Sequence, residues 1–255
     1  MIERIAKNPL GLAGLALVAA LIGAAAFWLF QRAVPSSLTA VDRGRMEVVV
    51  HDYILAHPEV LPEAMQVLRE RETAQQQSAA GKIVKANASA ILEPFGSAWA
   101  GNPKGDVTLV EYFDYNCGYC RSSLPAIAEL LASDPKIRIV YRELPILSEE
   151  SGVAARLSLA AAEQGKFRAF HDALYAGGQL TNESMAAAAK SVGLDMARAK
   201  ALAPRANAEI ASNLELSRKM GMTGTPSWII GDKIISSALP LEELQKAVAV
   251  ARTKS

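Results

Sequence analysis

The chain has only two cysteines, Cys117 and Cys120, and they stand three positions apart. That spacing constrains the fold more than anything else in the sequence. Before the pair, Val107 to Tyr115 is mostly apolar and aromatic through Phe113, the pattern of a buried strand. After it, Cys120, Leu124, Ile127 and Leu131 recur at helical spacing, and Pro125 is expected to kink that helix rather than end it. A disulfide-stapled secreted fold spreads several cysteines along its length, so neither residue is a long-range staple. A purely structural bond across so short a loop would stabilise little, because loop-closure stabilisation shrinks with loop length. Zinc needs two more ligands, and His51, His57 and His171 lie in other predicted elements at no ligand spacing. A metal shared between the cysteine pairs of two chains stays open.

The chemistry that suits a cysteine pair at a helix start is redox exchange. There the first sulfur meets unsatisfied backbone N–H groups and the positive end of the helix dipole, both of which favour its thiolate. Thiolate is the form that attacks a disulfide. The second sulfur, one turn on, can attack the mixed disulfide and release the product. Cys117 is therefore assigned as nucleophile and Cys120 as resolving cysteine, with Gly118 and Tyr119 as the active-site loop between them.

The beginning of the chain carries a targeting pattern. Arg4 and Lys7 precede an uncharged apolar run from Pro9 to Phe30, which as a helix would span ~33 Å, enough for a bilayer core. Its length favours an uncleaved anchor, although Ala24-Ala25-Ala26 offers a small-residue cleavage site. In either case the positive residues keep the N-terminus cytoplasmic and put residues 32–255 outside, in an envelope compartment that permits disulfides. The net charge of +1 comes with no basic block or basic–aromatic stripe, so nucleic acid is not an expected partner.

Three regions follow: residues 1–32 as anchor or signal, 33–94 as a helical region, and 95–255 as the catalytic domain. Residues 33–40 read as a short linker. Met46, Val49, Val50, Tyr53 and Ile54 mark one face of a helix over 43–56. A second helix is expected from Pro58 toward Ala90, with Leu61, Met65 and Leu68 on one face. Beyond Glu72 it has only Ile83, Val84, Ile91 and Leu92 to bury, too few for a monomeric core, so it reads equally as an oligomerisation surface or a spacer. Gly101 to Gly105 is a turn-rich border. Ile137 to Tyr141 is the next strand, residues 148–220 form a helical insertion, and Thr225–Ile230 with Lys233–Ser236 make a hairpin around Gly231-Asp232. Leu241, Leu244 and Val248 give a closing helix.

The run Glu111-Tyr112-Phe113-Asp114-Tyr115-Asn116-Cys117-Gly118-Tyr119-Cys120, preceded by Gly101-Asn102-Pro103, resembles the DsbA-like thioredoxin family and, more closely, its ScsC and Com1 branch. The likeness continues through Tyr141 to Leu147, Lys166-Phe167, His171 to Leu174 and Gly224-Thr225-Pro226. Residues 43–72, with His57-Pro58-Glu59-Val60, resemble the N-terminal region of ScsC-type proteins. The resemblance implies an α/β, thioredoxin-like fold with a helical insertion, and an envelope thiol–disulfide oxidoreductase without a cofactor. It implies that Pro226 is the cis-proline beside the cysteines, where the bland reading is a turn proline. It makes Thr225 a residue that sets redox behaviour through a hydroxyl near the sulfurs, against an ordinary β-branched strand residue. It makes Glu111 a buried acid that exchanges protons with Cys120, against a carboxylate facing solvent at a strand edge.

One departure matters. Strongly oxidising DsbA proteins carry Pro-His between the cysteines, and this chain carries Gly-Tyr. Without that histidine the thiolate loses a partner and the oxidant is milder, which tilts the reading toward isomerase or reductase. The expected partners are disulfide-containing envelope proteins, a DsbD- or ScsB-type membrane reductase, the membrane itself, and further copies of the chain, as in a trimer. A DsbA-like oxidase served by a DsbB-type partner is the close alternative. Copper tolerance, with Cu(I) on Cys117 and Cys120, is the second.

Overall fold

The computed structural model describes residues 9–33 and 40–253. Arg4, Lys7 and most of the expected linker over 33–40 lie outside them. Two compact units divide at Leu68 and Arg69.

In the first unit, α1 (Pro9–Ala33) holds an 18-residue stretch, Ala13–Phe30, of mean hydropathy 2.2 with no residue buried. It is long and apolar enough to cross a membrane. The Arg32 guanidinium lies 3.7 Å from the centre of the Trp28 ring, the stacking expected of a cation and an indole near a helix end. α2 (Ala40–Ala56) and the first turns of α3 (Val60–Ala86) follow. Met46, Val49, Val50, Tyr53, Leu61, Met65 and Leu68 are all exposed. The stripe read from their spacing is therefore present and, apart from the half-buried Ile54, bare.

The second unit is built on a five-stranded sheet in the order β1-β3-β2-β4-β5, comprising β1 (Trp99–Gly101), β2 (Val107–Phe113), β3 (Ile137–Glu143), β4 (Ser227–Ile230) and β5 (Lys233–Ile235). Only β2 and β3 are parallel. α5 (Gly118–Ser133) makes the crossover between them. α6 (Glu149–Glu163), α7 (Phe167–Ala176), α8 (Asn182–Ser191) and α9 (Met196–Lys219) form the insertion between β3 and β4, and α10 (Leu241–Arg252) closes the chain.

Strand residues alternate between two buried faces. Val107, Leu109 and Phe113 join Cys120, Ile127, Leu130, Trp228, Leu244 and Val248 on one side. Val110, Tyr112, Val140, Ile229, Leu216 and Met220 form the other. The central strands, covered on both sides, have no exposed position, which is why they read as apolar runs rather than alternating ones.

Several expectations need correction. β1 has no counterpart in the sequence reading, which places only the turn-rich border from Gly101 there, because three residues ending in glycine carry almost no pattern. α5 runs on through Pro125 as expected, and its face of Cys120, Leu124, Ile127 and Leu131 packs on the core but is wider than expected, with Ser123 and Leu130 buried beside it. The greatest change concerns the end of α3 and the short α4 (Ala88–Leu92). Ala80, Val84 and Ile91 are buried against the second face of the sheet, so this stretch belongs to the catalytic unit's core and is neither spacer nor free surface. The helix approaches closely because small residues face the sheet; a side chain at Gly81 would meet the Asp232 carbonyl at 3.5 Å. Gln77 adds a polar contact. Its amide donates to the Ile234 carbonyl at 2.9 Å and accepts from the Ile234 N–H at 3.1 Å, satisfying the open edge of β5 as a neighbouring strand would.

On the same face Arg142, only 3% exposed, donates to the Ile91 and Glu93 carbonyls and pairs with Glu209. It thereby ties β3 to both the end of α4 and α9. A buried guanidinium is tolerated because each of those bonds replaces lost hydration.

Candidate active site

β2 ends at Phe113, and four residues later the chain turns into α5. Cys117 is the N-cap of that helix, in extended conformation (φ −85°, ψ 116°). Its sulfur accepts the Cys120 N–H at 3.4 Å, and its thiol donates to the Thr225 carbonyl at 3.2 Å. A cap sulfur stands where the helix's orphan N–H groups converge, so a negative charge on it is favoured. A side chain added at Gly118 would meet nothing within 4 Å, and Tyr119 is 71% exposed. The loop thus leaves the approach to Cys117 open while only a small part of the sulfur itself is uncovered.

Cys120 is the opposite case. It is buried, and desolvation, then the nearby Glu111 carboxyl, push its thiol far above the ordinary cysteine range. Glu111 lies on β2 between Tyr141 of β3 and Trp228 of β4 and shares the cysteine-bearing face by strand alternation. At 2% exposure it does not face solvent. Burial raises its pKa to about 8, against a weaker opposing pull from Arg168. The result is one sulfur capping a helix and one kept protonated beside a carboxyl that is itself mostly neutral at moderate pH.

The Thr225–Pro226 peptide bond is cis. Its position opposite the cysteines comes from β4, which pairs antiparallel with β2 from Ser227 onward. Thr225 contacts Cys117 through its carbonyl. Its hydroxyl is buried with no hydrogen-bond partner among the described residues, so the expected contact of that hydroxyl with a sulfur is absent. The backbone geometry of the loop aims the carbonyl, not the side chain, at Cys117.

The five residues singled out from the sequence (Cys117, Cys120, Glu111, Thr225 and Pro226) therefore come from β2, the start of α5 and the loop before β4, and they meet at one end of the sheet. Sequence reasoning passed over a second polar group beneath them. Glu143, the last residue of β3, is buried, bonded to Ser158 and held well above the usual carboxylate range by desolvation. The Tyr115 hydroxyl bridges Ser158 at 2.8 Å and His171 Nδ1 at 3.2 Å. His171 is buried among Phe113, Tyr141, Phe167 and Tyr175, and desolvation lowers its pKa to about 3, with Arg168 adding to the effect. It is a neutral core residue. Arg121 reaches across Tyr175 to the Gly178 carbonyl and fastens α5 to the insertion. Among the described residues no group of three or more His, Cys, Asp or Glu comes together as a metal site.

A cysteine pair capping the first helix after a central strand, faced by a cis-proline loop on a mixed sheet with helices on both sides, defines a thioredoxin-like protein. The family model described as Thioredoxin matches residues 95–249, and the chain belongs to that family. A second, described as Copper resistance protein ScsC N-terminal domain, matches residues 42–75. Among solved structures, a thioredoxin-like oxidoreductase from Silicibacter pomeroyi is 41% identical, with a TM-score of 0.62 over 66% of this chain and 99% of that one. Proteus mirabilis ScsC in a transitional conformation is 27% identical, with a TM-score of 0.62 over 86% of this chain and 99% of that one. The Na(+)/H(+) antiporter NhaA 1 of Salinispora arenicola is 34% identical over 156 residues, which are 59% of this chain and 24% of the antiporter. The chain thus spans about a quarter of the length of the curated relatives it matches.

Proposed function

We propose that this chain is an envelope thiol–disulfide oxidoreductase that reduces or isomerises disulfides in exported proteins. The observation that carries the reading is the asymmetry of the pair: Cys117 caps a helix on an open approach, whereas Cys120 is buried beside Glu111. The Cys117 thiolate attacks one sulfur of a client disulfide, forming a mixed disulfide and releasing the other client sulfur as thiolate. That thiolate can attack elsewhere in the client, which rearranges the bonds and frees Cys117. Alternatively Cys120 gives its proton to the ionised minority of Glu111, whose pKa of about 8 makes that carboxylate a strong acceptor, and attacks the Cys117 sulfur. The client then leaves reduced, with Cys117 and Cys120 joined, and a DsbD- or ScsB-type membrane reductase must supply two electrons to reset the pair. Gly-Tyr between the cysteines provides no cation or imidazole to stabilise the thiolate further, which supports the reducing direction over DsbA-like oxidation.

Refolding of scrambled ribonuclease tests the direction. The reduced full chain is expected to restore ribonuclease activity in catalytic amounts. Failure to do so, with rapid oxidation of a reduced peptide by the disulfide form, would make the protein an oxidase.

In this reading α1 anchors the chain in the inner membrane with the thioredoxin domain in the envelope. The bare apolar stripe on α2 and early α3 joins copies of the chain, which would bring several cysteine pairs to one client. Light scattering in detergent is expected to give a multiple of the protomer mass of 27.1 kDa. Replacing Val49 and Tyr53 by glutamate should return the chain to a protomer, and a wild-type protomer would refute the assembly.

A further inference from the structure

Asp114 stands between β2 and the nucleophile and is 1% exposed. Its carboxylate accepts three backbone N–H groups: Oδ1 from Asn116 at 2.8 Å, and Oδ2 from Ile146 at 2.8 Å and Leu147 at 3.0 Å. The first donor belongs to the turn that delivers Cys117, and the other two to the loop after β3. The Asp114 carbonyl accepts the Cys117 N–H and the Tyr175 hydroxyl, each at 3.0 Å, and its backbone also hydrogen-bonds Cys120. One residue therefore touches both cysteines through its main chain while its side chain pins that main chain to a second loop.

Serine or asparagine can close a turn with less desolvation than a buried carboxylate. Only a group with two acceptor oxygens, however, takes N–H groups from both loops at once, because an amide would turn a donor toward one of them. We infer that Asp114 is a positioning residue of the redox centre: its carboxylate holds the turn so that the Cys117 sulfur stays in line with the first N–H groups of α5 and with the Thr225 carbonyl. This rests on the thiol–disulfide reading of the site. The contacts of the sulfur, at 3.4 Å and 3.2 Å, are long enough that a small displacement of the turn weakens both.

Charge and position act in opposite directions here, which makes the assignment testable. The Asp114 carboxylate is an anion close to a sulfur that must become one, so neutralising it would by charge alone ease ionisation of Cys117. Losing the positional hold aims the helix N–H groups less well and hinders it. The full chain and its Asp114→Asn variant are reduced and alkylated with iodoacetamide across a pH series, and the peptide bearing Cys117 is followed by mass. The alkylation midpoint is expected to rise by about half a pH unit or more in the variant, with several-fold slower exchange against a model disulfide. A folded variant whose midpoint is unchanged or lowered overturns the assignment. Tyr175→Phe removes a single hydroxyl from the Asp114 carbonyl and should move the midpoint the same way. If the asparagine variant does not fold, the phenylalanine variant decides alone, and an unmoved midpoint refutes the assignment. A wild-type midpoint equal to that of an unstructured thiol would instead overturn the thiol–disulfide reading together with this one.

Discussion

Cys117→Ser is expected to reduce thiol–disulfide exchange by a factor on the order of 10³ or more, because a serine hydroxyl is a poor nucleophile at neutral pH. Cys120→Ser should behave differently. Attack by Cys117 survives, but the intramolecular step that releases the client is lost, so mixed disulfides accumulate. The structure explains why the two are not interchangeable. Cys117 accepts a helix N–H and faces open space at Gly118, whereas Cys120 is buried with its proton held in place by desolvation and by the neighbouring acid. Incubating each reduced variant with a client bearing one disulfide, quenching free thiols by alkylation and separating on non-reducing gels gives the readout. Higher-mass species that vanish on reduction are expected with Cys120→Ser and not with Cys117→Ser. The reverse pattern would exchange the roles, and strong residual exchange in Cys117→Ser would remove the basis of the mechanism.

Glu111→Gln is expected to make the protein more stable than wild type in alkali and to flatten its stability profile. Unfolded, the Glu111 carboxyl titrates near 4.5; folded, burial raises it to about 8. Between those values the unfolded chain gives up a proton that the folded chain keeps. Stability from this group is therefore full below pH 4.5 and falls as pH climbs toward 8. At about 1.4 kcal/mol per pH unit the total is on the order of 5 kcal/mol. Glu143, also raised, adds a loss in the same direction. His171, depressed from 6.5 to about 3, contributes stability that is present above 6.5 and lost in acid. Both are common to the two proteins and cancel in the comparison. Urea unfolding of wild type and variant at several pH values between 5 and 8 is the measurement. The gap in favour of the variant should widen steadily with pH, and a constant gap would show that Glu111 is not held protonated. The same substitution should slow release of mixed disulfides, since glutamine cannot accept the Cys120 proton.

The cost of keeping Glu111 is informative. Apolar neighbours surround it on β2, and leucine there would stabilise the sheet without a pH penalty. In the proposed mechanism a carboxyl so placed serves a buried thiol that must lose its proton on demand, the part given to Cys120. The Gln77 clasp on β5 and the Arg142 anchor serve the other face, away from the cysteines, and hold the end of α3 and α4 onto the sheet.

Local pattern carried much of this protein in the sequence. A buried strand, a cysteine pair and an amphipathic helix occur in consecutive residues, so their order and the candidacy of Cys117 as a nucleophile were legible without tertiary contacts. The apolar run of α1 and the stripe on α2 were equally local. The rest depended on where the chain returns to itself. The end of α3 looked too poor in large apolar residues to pack, yet Ala80 and Val84 are buried against the second face of the sheet and Gly81 lies beside the β4–β5 turn. β1 became a strand only because β3 offers it an edge. Nothing in the local sequence singles out the carboxylate of Asp114, because Ile146 and Leu147 reach it only across 32 and 33 residues. Periodicity records which residues face a core, because burial acts on each side chain separately. Which polar atoms meet inside that core is decided by distances between segments far apart in the chain, and those exist only once the sheet and its insertion have closed.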